Sequence, residues 1–564
     1  MSLLVGFVSS SLSPGYYKSP SQHTVVVLSS TGGGFAAALS AARGGAAVTL
    51  LETAGNGGGS GTHIGGMITG GLSHTDCGNA SVIGGIAREF FYRVERQYPN
   101  RSTDPNLQPN SGPPCWLFEP HIAEQVMWQM LAEANVSVVT GLGGIAHATV
   151  NASSYLTHVE TLSGDIFYGD IFIDASYEGD LLAAAGATVT AGRESAAQYG
   201  EAGAGRRDII NYDQIVKVNP FWPNTTETLP LIYQGYPGLP GDADKKLEAY
   251  AYRMCMTRSP SHRVAITTPP PGYNASTFEL FRRIFTAKPP RSLGDAGLYC
   301  LGPLPNNYSD CPPSAGGLCK CDMISAGGLG SDFAQGSWGG DDGQGAYWPT
   351  ASVVERRAVA QAHAMYTWGM IWFLMSDDKT VPPSVSAELR EYGLCADEWA
   401  DTDPPHFPHQ LYVREANRLV GDFVLTQNTA PVAKLNRSIG LGSYAYDAHT
   451  VQRVVHTDVG GTAWAVNEGE IMSQPPCYLP HPYPIPYDTL LPQRKELANV
   501  LAAVPVSASH VVFTSLRMEP TFMIMGHAAG AAAALAANSG CAVQDVDVEH
   551  LQSILIAQGQ IIVE

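Results

Sequence analysis

Two groups of residues in this chain have types and spacings that could do chemistry. The first is the stretch TVVVLSSTGGGFAAALSAARGGAAVTLLE, Thr24 to Glu52. It places Ser29-Ser30-Thr31-Gly32-Gly33-Gly34 between an apolar run and an alanine-rich segment, and ends a second apolar run on a carboxylate. Strand, tight turn, helix and acidic strand end are the parts a dinucleotide needs. Glycines admit backbone N–H groups to a diphosphate, the helix N-terminus favours its charge, and the carboxylate accepts hydrogen bonds from ribose hydroxyls. The turn nevertheless departs from the G-x-G-x-x-G pattern, which asks for glycine first and third. The second group lies far downstream: Tyr446, Asp447 and His449 in SYAYDAH, Arg414 in YVREANRL, and Arg517 in RMEP. An imidazole titrates where a general base is useful, and a guanidinium matches a substrate carboxylate or a set of hydroxyls. The competing readings are a hydrogen-bonded structural histidine in an aromatic loop and a structural Arg414–Glu415 ion pair.

The elements that must hold these residues follow from periodicity and turn chemistry. Glycine is so dense between Gly55 and Asn79 that this segment is expected to be loop, packed closely against something. IGGIAREFFYRVERQY and Glu119–Asn135 read as helices, the latter with a stripe of Ile122, Val126, Met130 and Leu131, and Pro99–Pro114 as a surface excursion. The short β runs VSVVTG, GIAHATVNA and YLTHVETL, followed by DIFYGDIFIDAS, predict a small antiparallel meander returning to a buried central strand. Ser352 and Glu355 form a capping box ahead of a long helix. HVVFTSLRMEPTFMIMGHAAGAAAALAANSG reads as strand, charged turn, and a Gly/Ala-rich helix able to approach a partner closely.

The chain of 564 residues is too long for one core. Charged residues are only 15%, the net charge is −19, and Gly and Pro number 60 and 39. That acidic balance argues against nucleic acid and anionic membranes as partners. No apolar run of the required length predicts a membrane span, and MSLLVGFVSSSLSPG lacks the basic residues of an ordinary signal peptide. Eight N-x-[ST] sequons, at Asn79, Asn100, Asn135, Asn151, Asn224, Asn274, Asn307 and Asn436, and ten cysteines lean toward a glycosylated, secretory or extracellular protein, with the cytoplasm as the alternative. The Cys300, Cys311, Cys319, Cys321 tract lacks C-x2-C pairs, so no metal site is expected, and disulfides are the better reading if the protein is secreted.

Five further segments occur in order: HIGGMITGGLSHTD (63–76), DASYEGDLLAAAGATVTAGRESAAQYGE (174–201), LYVREANRLVGDFVLTQ (411–427), SYAYDAH (443–449) and RMEPTFMIMGHAAGAAAALA (517–536). With the opening unit they resemble the FAD-dependent oxidoreductases of the glutathione-reductase-like flavoprotein superfamily, in particular the subgroup loosely labelled xanthan lyase-like. The resemblance implies an α/β fold: an FAD-binding Rossmann domain with a β-meander and an inserted mixed α+β substrate domain. Its expected parts are an extension over 1–22, the FAD domain over 23–205 and 500–545, the substrate or cap domain over 206–499, and a tail over 546–564. It implies FAD as cofactor, held without a covalent bond, although His63 stands where an attachment could be imagined. In the register it favours, Ser29 and Thr31 take the first two glycine positions and Gly34 the third, with Glu52 twenty-three residues after Ser29. The alternative, Gly32-x-Gly34-x-x-Ala37, puts Glu52 twenty residues on.

Cofactor contacts are then expected from Ser29, Thr31, Gly33, Gly34, Glu52, Gly65, Gly66, Met67, Ile145 and Ala175. Gly526 and Gly530 are expected to open the last helix toward the flavin or to pack it tightly. His449, Arg414 and Arg517 are the catalytic candidates. The implied activity is oxidation or dehydrogenation of a small polar molecule, of the sugar or hydroxy-acid kind, by hydride transfer to flavin and on to an acceptor the sequence does not name. A non-redox scaffold with a decayed dinucleotide turn is the alternative. A polysaccharide lyase rests on the loose label alone.

Overall fold

A computed structural model describes residues 23–53, 62–98, 116–207, 216–324 (without 234, 303, 306, 307, 316 and 317), 346–433, 435–472 and 482–563. The N-terminal extension and the Pro99–Pro114 excursion lie outside these residues.

The first apolar run is β1 (Thr24–Leu28), followed by helix α1 (Gly32–Arg43) and β2 (Ala47–Leu51). They sit in a five-stranded, all-parallel sheet in the order Val500–Ala502, Ile171–Asp174, β1, β2, Ser137–Val139. Strands buried on both faces need near-continuous apolar runs, which β1 and IFID supply. The residues VSV, expected with the meander, instead extend this sheet: Leu50 pairs with Val138 in parallel register. The meander itself is Ile145–Val150, Leu156–Thr161 and Ile166–Tyr168, all antiparallel. It covers one face of the sheet through Leu156 and Val159, which pack with Val26, Leu28, Leu51 and Phe172.

The opposite face is covered by α1 and the helix Glu519–Ser539. A Cβ on Gly526 would lie 2.0 Å from the Gly33 carbonyl oxygen, and one on Gly530 would lie 2.2 Å from that of Ala37. These glycines therefore occupy the middle of the helix and let two backbones touch; they do not open it, which corrects the first of the two roles expected for them. By length and composition this helix could cross a membrane, but it is almost wholly buried inside the fold. HVVFTSL, read as a strand, is the helix His510–Leu516, capped by Ser509, whose hydroxyl accepts from Val512 N. Every residue of it is buried, so no amphipathic period distinguishes helix from strand there.

A second sheet, antiparallel, runs Arg263–Val264, Gly393–Cys395, Met254–Thr257, Lys320–Ile324, Tyr299–Leu301. Disulfides Cys255–Cys395 and Cys300–Cys321 tie its strands, and Cys311–Cys319 closes the adjoining loop. Helix Val353–Ser376 starts with the expected capping box: Glu355 N donates to the Ser352 hydroxyl, and the Glu355 carboxylate accepts from Ser352 N.

Candidate cofactor and active site

At the end of β1 the chain turns through Ser29 with φ at 69°, the left-handed region where a Cβ is unfavourable. This is the strain expected of serine at a glycine position. Five residues later, a Cβ on Gly34 would lie 1.8 Å from the Ser29 carbonyl oxygen, so glycine is obligatory there. That close approach fits the register Ser29-x-Thr31-x-x-Gly34, not the one ending at Ala37. Gly33 faces Val504 and the Phe522 carbonyl. Thr31 caps α1: its hydroxyl accepts from Gly34 N at 3.2 Å and donates to the Ala175 carbonyl at 2.8 Å, fastening the turn to the end of the central strand.

Glu52 closes the same corner. Its Oε2 accepts from Ser30 N at 2.8 Å and from the Ser30 hydroxyl. Burial pushes its pKa up to about 7; the two Ser30 hydrogen bonds offset this only in part, and Glu178 and Glu124 add to it. A buried carboxylate held so far from its ordinary range favours further donors, which ribose hydroxyls supply. Ile145 opens the meander, half-buried against the cluster that contains Leu28 and Leu51.

The second glycine loop packs directly on this turn. Gly65 N donates to the Ser30 carbonyl at 3.0 Å and approaches the Ser30 hydroxyl at 3.1 Å. Gly66 has φ of 54°, and a Cβ there would lie 2.5 Å from Tyr177 Oη. Met67 N donates to Tyr177 Oη at 2.9 Å, and that hydroxyl donates to Glu519 Oε1 at 2.5 Å. Within the segment expected to be a closely packed loop, Met67–Gly70 is one helical turn, wholly buried. His63 is fully engaged: Nδ1 lies 3.0 Å from Glu124, Nε2 lies 3.2 Å from Asp401, and the ring stacks on His409.

The downstream candidates converge. Arg517 is buried; its Nη2 donates to the Asp447 carbonyl and to Asp447 Oδ2 at 3.1 Å, lies 3.3 Å from Glu248, and Nη1 reaches Tyr412 Oη at 3.2 Å. His449 Nε2 is 3.6 Å from Asp447 Oδ2, and the His449 amide donates to Glu248 Oε2 at 2.9 Å. Burial opposes the charge on Asp447, but His449, Arg517 and Arg414 hold its carboxyl well below the usual range. Arg414 donates to the Ala249 carbonyl and lies over the Tyr412 ring. Its neighbour Glu415 pairs elsewhere, with Arg418 at 2.9 Å and His510 at 2.9 Å, so the Arg414–Glu415 ion pair considered from the sequence is replaced by other partners for the glutamate.

The profile of the FAD dependent oxidoreductase family matches residues 24–555. The chain belongs to that family. Its cofactor is FAD, and the residues present fit that group: a parallel sheet with a helix opening at the end of β1, a glycine cradle that a Cβ would fill at Gly34, and an elevated carboxylate at Glu52. No curated protein matches the chain. Among solved structures, L-proline dehydrogenase from P. horikoshii is 15% identical over 31% of this chain and 59% of that one, with a TM-score of 0.22. Thioredoxin reductase of Lactococcus lactis is 15% identical over 27% and 35%, with a TM-score of 0.16. An aromatic hydroxylase from angucycline biosynthesis is 14% identical over 31% and 35%, with a TM-score of 0.22. The family member thus spans less than two thirds of the length of each of these chains.

Sequence reasoning passed over Tyr177, Glu248, Tyr412 and Glu519. Tyr177, Tyr412 and Glu519 stand inside the strings DASYEGD, LYVREANRL and RMEP already singled out, and their polar type within those strings was the available signal; Glu248 lies in none of them. Glu119, His121 and Asp397 are close enough to share a cation. Lys320 Nζ already lies 2.5 Å from Glu119 and 3.0 Å from Asp397, so an ammonium takes that place.

Proposed function

We propose that this family member oxidises a small polar alcohol, of the sugar or hydroxy-acid kind, with the His449 cluster as its substrate end and the turn at Ser29–Gly34 as the seat of the FAD diphosphate. One observation carries the reading: distant segments bring His449, Asp447, Arg517 and Glu248 together, with Arg414 near enough to act on the Asp447 carboxylate. Bound FAD supplies a hydride acceptor. His449 takes the hydroxyl proton at the ring nitrogen turned away from Asp447, while Asp447 faces Nε2 and favours the imidazolium that forms. Arg517 in turn fixes Asp447 from the other side. The guanidinium groups of Arg414 and Arg517 are balanced by the carboxylates of Glu248 and Asp447, a neutral set that suits polyhydroxy substrates as well as anions. Glu52 receives the ribose hydroxyls, and Gly65, Gly66 and Met67 line the diphosphate.

The test is anaerobic mixing of the holoprotein with panels of sugars and hydroxy acids, followed by loss of oxidised-flavin absorbance. His449→Ala is expected to keep its flavin and to slow reduction by roughly 10²–10⁴. A variant that loses flavin or keeps full rate removes His449 from the role of base.

The same reading extends to a secretory, glycosylated protein. The sequon residues Asn79, Asn135, Asn151, Asn224, Asn274 and Asn436 are all exposed, while Asn100 and Asn307 lie outside the described residues. The disulfides Cys255–Cys395, Cys300–Cys321 and Cys311–Cys319 need an oxidising compartment. Non-reducing peptide mapping with glycosidase treatment, on protein from its native source, is expected to find glycans and these pairs; bare asparagines with free thiols would place it in the cytoplasm.

A further inference from the structure

The buried carboxylate of Glu519 has no part in the chemistry proposed above, yet it stands at the first turn of α1. A Cβ on Gly32, the first residue of α1, would lie 2.6 Å from Glu519 Oε2. Its Oε1 accepts from Tyr177, whose hydroxyl in turn accepts from Met67 N, the amide that follows the second glycine pair. One carboxylate and one hydroxyl therefore bridge the two glycine loops. Oε2 is buried beside the Gly32 amide without completing a well-formed hydrogen bond to it. Unpaired N–H groups at a helix start attract one anion, and a dinucleotide diphosphate seeks the same place. Two anions cannot share it without a large electrostatic penalty in a site this dry.

We propose that Glu519 is the in-chain stand-in for the cofactor diphosphate, and that it takes up a proton from solvent when FAD binds. As a carboxylate it holds the loops of Gly32 and Met67 together; as a carboxylic acid it stays beside the diphosphate as a neutral neighbour and a hydrogen-bond donor. Burial already pushes its pKa up to about 7, with the Tyr177 hydroxyl and the Gly32 amide pulling the other way, so the proton is available near neutrality. The groups packed around it are few: Tyr177 is the titratable one, held neutral by burial, and Ile68 and Met523 are apolar. Glu52, on the far side of the turn, works in the opposite sense. Ribose hydroxyls favour its charged form, so it gives up its proton on binding, and it does so below pH 7. Affinity for FAD therefore peaks near neutrality, limited by Glu52 on the acid side and by Glu519 on the alkaline side.

The proposal rests on the placement of the diphosphate at α1, and the experiment separates the two. Holoprotein is diluted at pH values from 6 to 9, and released FAD is read by its fluorescence to give Kd. The expected result is a Kd that rises about tenfold per pH unit above roughly pH 7.5. In Glu519→Gln, Kd is flat over that range and lower than that of the natural chain by tenfold or more at pH 8.5. Tyr177→Phe, which removes the donor that favours the carboxylate, moves the rise to higher pH and serves where Glu519→Gln does not fold. A Kd that is flat in the natural chain, or that rises in parallel in Glu519→Gln, overturns the proposal while leaving the placement standing if Glu52→Gln still weakens binding. A Glu52→Gln protein with unchanged Kd overturns the placement, and the proposal with it.

Discussion

Glu52 offers the sharpest perturbation, because stability and cofactor affinity should respond to it in opposite directions. Its folded pKa of about 7 lies above the ordinary 4.5, so the sign is fixed. The stability associated with the neutral acid is fully present below about pH 4.5 and is lost as pH rises through 7, because ionising the buried group then opposes folding. The gap corresponds to roughly 3 kcal/mol at pH 8. Glutamine cannot ionise. Both Ser30 hydrogen bonds fall on Oε2, so the amide oxygen can replace that atom and keep them. Glu52→Gln in the FAD-stripped protein should therefore match the natural chain at pH 4.5 and unfold several degrees higher at pH 8. Its FAD affinity should nonetheless fall tenfold or more, since each charge-assisted bond to ribose is worth roughly 1.5–3 kcal/mol. Differential scanning fluorimetry at the two pH values, with Kd from flavin fluorescence, measures both. A stability difference that does not grow with pH would show that burial of the charge is not what raises this group. A variant less stable at pH 8 would show that the glutamate is structural.

Ser29→Gly removes a Cβ from a residue at φ 69° and should stabilise the fold by up to about 1 kcal/mol, read as a higher melting temperature, with FAD retained. Loss of FAD from that variant would make the serine itself a ligand. Gly526→Ala places a Cβ 2.0 Å from a backbone oxygen of α1, which cannot swing aside as a side chain would. It should cost roughly 1–3 kcal/mol or more, and a melting temperature unchanged from the natural chain would contradict the packing described. Lys320→Met removes the ammonium from between Glu119, Asp397 and Glu398 and leaves two buried carboxylates and the exposed Asp397 facing one another. The protein should be destabilised by roughly 3–5 kcal/mol near neutral pH, with partial recovery in acid; no loss in a urea titration would refute the pairing.

The sequence by itself determined what is local. β1, the turn, α1, β2 and Glu52 are contiguous, so apolar runs, glycine chemistry and a fixed spacing specify them without reference to the rest of the chain. The capping box at Ser352 and Glu355 was legible for the same reason, since donor and acceptor are three residues apart. The ordered strings that marked the flavoprotein family were legible as well, because they are linear. What the tertiary structure decided was every feature whose partner is remote or whose environment is buried all round. His510–Leu516 carries no polar face, so its period is silent and only its place in the core makes it a helix. Ser137–Val139 is too short to declare itself, and it became an edge of the parallel sheet because β2 offered it backbone groups to pair with. Gly526 and Gly530 could be read as small residues, but which backbone they admit depends on α1 lying across them. Tyr177 and Glu519 stand 342 positions apart, and Glu248 and His449 stand 201 apart. Pairings across such distances are set by how the sheets and helices pack, because a hydrogen bond carries no trace in the sequence between its two ends.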